Sequence, residues 1–123
     1  MTDRVPVLQI GDVLLVSIQM DLDDQAVLNL QDDLAAKVVA TSARGVVIDI
    51  TAAEIVDSFV GRMLATIAAI SRLLDAETVV VGMRPAVAIT LVELGLSLGG
   101  VRTALNLEQG LAILRRRPDA TPI

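Results

Sequence analysis

The chain has 123 residues, enough for one domain, and 54% of them are apolar, ample for a single core. That core is aliphatic, because Phe59 is the only aromatic residue. A net charge of −5 argues against a nucleic-acid surface, and the absence of cysteine and histidine excludes disulfides, thiol catalysis, Cys/His zinc sites and imidazole acid–base chemistry.

Val5 to Ile10 and Val13 to Ile18 are two β-rich runs separated by Gly11-Asp12, the pattern of a hairpin. Asp21, Asp23 and Asp24 then supply N-cap and first-turn acids for a helix. Its stripe is Val27, Leu30, Leu34 and Val38, it runs to about Thr41, and Asp32, Asp33 and Lys37 lie off the stripe. Arg44-Gly45 is the expected stop, with Gly45 in the left-handed role. Val46 to Ile50 is too continuously apolar to be half exposed, so it reads as a buried strand. A second helix opens at Ser58, with Val60, Met63, Leu64, Ile67, Ile70 and Leu74 on one face and Arg62, Thr66 and Arg72 on others.

Thr78 to Met83 is the next strand, and Pro85 suits the first turn of a third helix that Gly95 would stop. Val101 to Leu107 reads as a last strand and Glu108 to Arg117 as a last helix. Arg115, Arg116 and Arg117 complement its negative end, and Pro118 ends it. The order is β-β-α-β-α-β-α-β-α, an α/β fold with a small, mixed, mostly parallel sheet and about four helices. The opening Met1–Arg4 leads into no signal-peptide-like apolar run. No uncharged run approaches the ~20 residues of a membrane span, since Arg84 and Glu93 interrupt the longest candidate. The expectation is a soluble, cytoplasmic protein.

The segment Ile55-Val56-Asp57-Ser58-Phe59-Val60-Gly61-Arg62 places a hydroxyl at a loop-to-helix junction. From spacing alone Ser58 reads as a helix N-cap or as a phosphorylation switch. Asp57 reads as a contact for a kinase's basic residues or as a solvated turn acid. Phe59 sits beside the apolar stripe of its helix and reads as a partner anchor or as core. Asp49 suggests a metal or acid site, or a cap near the strand end. Arg115–Arg117 is a docking patch or a solvated helix end.

Two segments carry a resemblance. One is Val47-Ile48-Asp49-Ile50 followed by Ile55-Val56-Asp57-Ser58-Phe59. The other is Gly82-Met83-Arg84-Pro85-Ala86-Val87-Ala88 through Leu91-Val92-Glu93-Leu94-Gly95-Leu96. With them the chain resembles the STAS domain of bacterial anti-sigma factor antagonists from about Val5 to Leu114. More closely, it resembles the small single-domain antagonist subunit of the stressosome. The resemblance implies one STAS domain over residues 1–123, with a core over about 5–114 and a C-terminal tail over 115–123. It also implies that Ser58 is phosphorylated by a serine kinase of the anti-sigma type and reset by a serine phosphatase. Asp57, Phe59 and Arg62 would then meet the partner. No enzymatic activity, cofactor or metal is implied. The partners implied are the kinase, sensor-bearing STAS relatives in a large assembly and a second copy of the chain, with no nucleic acid and no membrane. The function implied is sequestration of a switch kinase, released when Ser58 is phosphorylated, in the general stress response. Phe59-Val60 intervene between Ser58 and Gly61, where ordinary antagonists place Ser or Thr and then Gly, and that bulk resembles the stressosome subgroup. The alternatives are a simple antagonist binding an anti-sigma kinase directly, and a passive scaffold in which Ser58 is only a cap.

Other classes fit less well. An enzyme would have to work with acids and hydroxyls alone, and no Gly-rich phosphate loop is present. A phospho-aspartate receiver would want a lysine after a late strand, but the only lysine, Lys37, is mid-helix. The cytoplasmic domain of an anion transporter would need a separate membrane partner.

Overall fold

The computed structural model describes residues 5–18, 23–52, 58–93 and 101–115, with the side chains of 58–60 left out. Among these residues nine elements follow in the predicted order. They are β1 (Val7–Ile10), β2 (Val13–Ser17), α1 (Asp24–Thr41), β3 (Gly45–Asp49), α2 (Ser58–Leu73), β4 (Glu77–Val81), α3 (Pro85–Glu93), β5 (Arg102–Ala104) and α4 (Leu107–Arg115). The strands form one sheet in the order β1-β2-β3-β4-β5. β1 and β2 are antiparallel, with Ile10 opposite Val13 across the two-residue turn, and every later pair is parallel.

Strand periodicity splits the core in two. Leu14 and Val16, Val46 and Ile48, and Val80 face the same cluster as Val27, Leu30 and Leu34 of α1, Leu64 and Ile67 of α2, and Val87 and Leu91 of α3. Their odd-numbered neighbours Val13, Val47, Val79 and Val81 face Leu107, Leu111 and Leu114 of α4. Among the described residues, α1, α2 and α3 therefore cover one face and α4 the other. The central strands are nearly continuous apolar runs because both faces are buried.

The α2 ridge follows the predicted stripe at Met63, Leu64 and Ile67 and departs from it towards the helix C-terminus. Met63, Leu64, Ile67, Ala68 and Ser71 are buried, while Ile70 and Leu74 are only half so. The Ser71 hydroxyl is buried with no hydrogen-bond partner.

Four boundaries differ from the sequence expectation. α1 is stopped by Ser42, which takes the left-handed conformation at φ 54° and whose amide donates to the Val38 carbonyl. Gly45 is instead the first residue of β3, and its missing side chain makes room for Leu114. A Cβ there would lie 2.7 Å from Leu114 Cδ1. β4 ends at Val81, because Gly82 turns to φ +78°. β5 stops at Ala104, because Asn106 caps the next helix.

The caps follow local chemistry. Asp23 Oδ1 accepts from Ala26 N at 2.7 Å and so opens α1. Asn106 Oδ1 accepts from Gln109 N at 2.9 Å, and Gln109 Oε1 reaches back to Leu105 N at 3.3 Å. This reciprocal arrangement resembles a capping box. Replacing Asn106 by Ala is expected to lower unfolding free energy by about 1 kcal/mol, measured by urea titration. An unchanged urea midpoint would remove the cap from the account. The expected cap and terminal residues Asp21, Gly95, Arg116, Arg117 and Pro118 lie outside the described residues.

Candidate functional site

The carboxyl ends of the parallel strands build a small polar frame. β3 ends at Asp49, whose Oδ1 accepts from both the backbone N (2.9 Å) and the hydroxyl (2.6 Å) of Thr51. This is an Asx-type turn, so Asp49 closes the strand end, the second of the two readings offered by the sequence. The frame is tied sideways as well. Ile18 N donates to Asp49 O at 2.9 Å and Ile50 N to Val81 O at 3.0 Å, which continues the sheet pairing past the strand ends.

From the β4 side, Arg84 Nε donates to Thr51 O at 3.2 Å. Gly82 passes so close beneath that a Cβ would overlap the Thr51 hydroxyl and sit 3.0 Å from Thr51 N and Cβ. Only glycine suits both this approach and φ +78°. Pro85 then starts α3 at its first helical position, where no N–H is needed.

The connection that leaves this frame leads to α2, which opens at Ser58. α2 lies against β4 and α1. The fold holds the end of β3 through Asp49 and Thr51 and holds α2 through its buried ridge. Arg62 lies one turn into α2 and is exposed. Asp57 lies outside the described residues, as do the side chains of Ser58 and Phe59.

Sequence reasoning did not single out Thr51, Gly82 or Arg84 as a unit. The signal was present, since Thr51 follows the strand acid by two positions and Gly82 and Arg84 flank a strand end just before a proline. Among the described residues no three acidic side chains converge into a metal site, and no helix is long and apolar enough to cross a membrane.

Comparison with known proteins agrees with this architecture. The STAS domain pattern matches residues 4–109. A solved structure of Moorella thermoacetica RsbS carrying S58E is 44% identical, with a TM-score of 0.79, and covers 90% of this chain and 94% of that one. A chain from a structure of the stressosome, described as a signal integration and transduction hub, is also 44% identical. Its TM-score is 0.79 and it covers 89% of this chain and 96% of that one. The RsbT co-antagonist protein RsbRA of Bacillus subtilis is 31% identical over 90 residues. That is 73% of this chain, which spans only 33% of RsbRA. The chain belongs to the STAS-domain family, among the anti-sigma factor antagonists related to the stressosome subunit RsbS.

Proposed function

We propose that this protein is a non-enzymatic, cytoplasmic switch subunit of a stressosome-type assembly. It acts as a single STAS domain over residues 1–123. Unmodified, it retains a serine kinase of the anti-sigma type, with Asp57, Phe59 and Arg62 around the contact. The kinase transfers the γ-phosphoryl group of ATP to Ser58 Oγ, the hydroxyl loses its proton and ADP leaves. The kinase is then released to act downstream in the stress response, and a serine phosphatase restores the hydroxyl.

The observation that carries this reading is Ser58 at the first position of α2, leaving a frame that both β3 and β4 brace. Two features of the relatives support it. RsbRA is named as a co-antagonist, which fits a hetero-assembly with longer STAS proteins. The S58E form of RsbS carries a carboxylate in place of a serine hydroxyl, a replacement that imitates a phosphate's charge. Exposed apolar side chains such as Leu73, Leu105 and Val92 fit burial against neighbouring subunits, with a dimer as the smallest unit.

The test is size-exclusion chromatography of the chain mixed with its host's sensor-bearing STAS proteins and candidate kinase. The kinase should co-elute without ATP and separate after ATP is added. A Ser58→Ala chain should keep it in the assembly. A kinase that never co-elutes, or leaves both chains alike, would contradict the proposal.

A further inference from the structure

Arg62 lies four residues beyond Ser58 on α2. Residues i and i+4 stack on one helix face with Cβ atoms about 5–6 Å apart. Long helical side chains lean back toward the helix N-terminus, over the residue one turn earlier. The α2 backbone therefore places Arg62 over the face that carries Ser58.

Three of the other arginines have partners within the fold, and Arg72 and Arg115 lie three and more turns away from Ser58 along the chain. Arg44 lies 3.4 Å from Asp12 and Arg102 lies 3.7 Å from Glu77. Arg84 gives its Nε to the Thr51 carbonyl. Arg62 is exposed, and no acid among the described residues bridges it.

We propose that Arg62 is the intramolecular receptor of the phosphate on Ser58. The inference rests on the Ser58 reading and adds what modification does to the surface. In the unmodified chain the guanidinium is exposed, with no ion pair to an acid among the described residues. A phosphate adds about −1.5 to −2 charge one helical turn away, and a guanidinium matches its oxygens two at a time. Modification thus adds an anion and withdraws a cation from the partner surface at once. Arg62 is also the cation closest to Ser58 in sequence.

The test uses the full chain with phosphoserine installed at position 58 during translation, so it needs no kinase. A kinase that fails to modify Ser58 would show separately, by mass spectrometry. The readout is the second ionisation of the phosphate, followed by ³¹P NMR against pH. A neighbouring cation favours the dianion and lowers that pKa from its ordinary value near 6. Arg62→Gln keeps the helix N-terminus and removes only the cation. Its phosphate is expected to titrate about 0.3 unit higher than in the unsubstituted chain, the scale of an exposed i, i+4 pair. The difference should shrink in 1 M salt, with a Debye length of about 3 Å. Arg62→Lys should keep most of the depression. Equal pKa values in the unsubstituted and Arg62→Gln chains would overturn the proposal. So would a depression removed by Arg84→Gln but not by Arg62→Gln.

Discussion

Replacing Ser58 by Asp is expected to weaken kinase binding by at least about a hundredfold. A contact that buries the neutral hydroxyl would have to desolvate a carboxylate, and the effective penalty for burying an uncompensated charge is several kcal/mol. Each 1.4 kcal/mol or so is a factor of ten in affinity, so about 3 kcal/mol reaches a hundredfold. The fold should persist. The new charge sits at the first residue of α2, where free N–H groups and the positive end of the helix dipole favour it. Titration calorimetry with the kinase, beside circular dichroism of the variant, separates the two effects. Ser58→Ala should bind nearly as the unsubstituted chain does. Undiminished affinity for the Asp variant would mean that the partner does not cover Ser58.

Replacing Gly82 by Ala is expected to cost about 2–5 kcal/mol of stability. The positive φ of +78° costs an L-residue about 1–2 kcal/mol. The rest comes from overlap with Thr51, because displacing well-packed atoms costs about 1–3 kcal/mol. Gly11 provides a control within the same chain. It also has positive φ, at 62°, but a Cβ there would meet nothing within 4 Å. Gly11→Ala should therefore show only the conformational part. Equal urea midpoints for the two variants would mean that the Gly82–Thr51 approach is not a packing constraint. The Gly82 variant should also disturb the Arg84–Thr51 and Asp49–Thr51 bonds from which the Ser58 segment departs.

The hydrophobic pattern carried most of the fold. Val46 to Ile48 and Val79 to Val81 are apolar at every position because helices cover both faces, and that is legible as a run. The hairpin was legible from Gly11-Asp12, and α3 from Pro85. Boundaries were less so. Ser42 stops α1 in a conformation that sequence assigns to glycine, because Gly45 is needed where Leu114 crosses it. The α2 stripe holds at Met63, Leu64 and Ile67 and differs at its C-terminal end, where Ser71 is buried and Ile70 is only half so. That follows from how the helix lies on the sheet, which periodicity alone does not fix.

At the site, Ser58 was legible as a helix start because a loop pattern gives way to a helical one there. The frame beneath it was not. Its bonds join Thr51 to Arg84, 33 residues apart, and depend on β3 and β4 being neighbours. Asp57, and the side chains of Ser58 and Phe59, rest on the resemblance of their segment to known antagonists.

Mass spectrometry of the chain after incubation with ATP and its host's anti-sigma-type serine kinase tests the central claim most directly, with Ser58→Ala alongside. One phosphate per chain is expected, located on Ser58 and absent from the variant. An unmodified chain, or a phosphate that survives in Ser58→Ala, would contradict it and leave Ser58 as a structural feature of the α2 start.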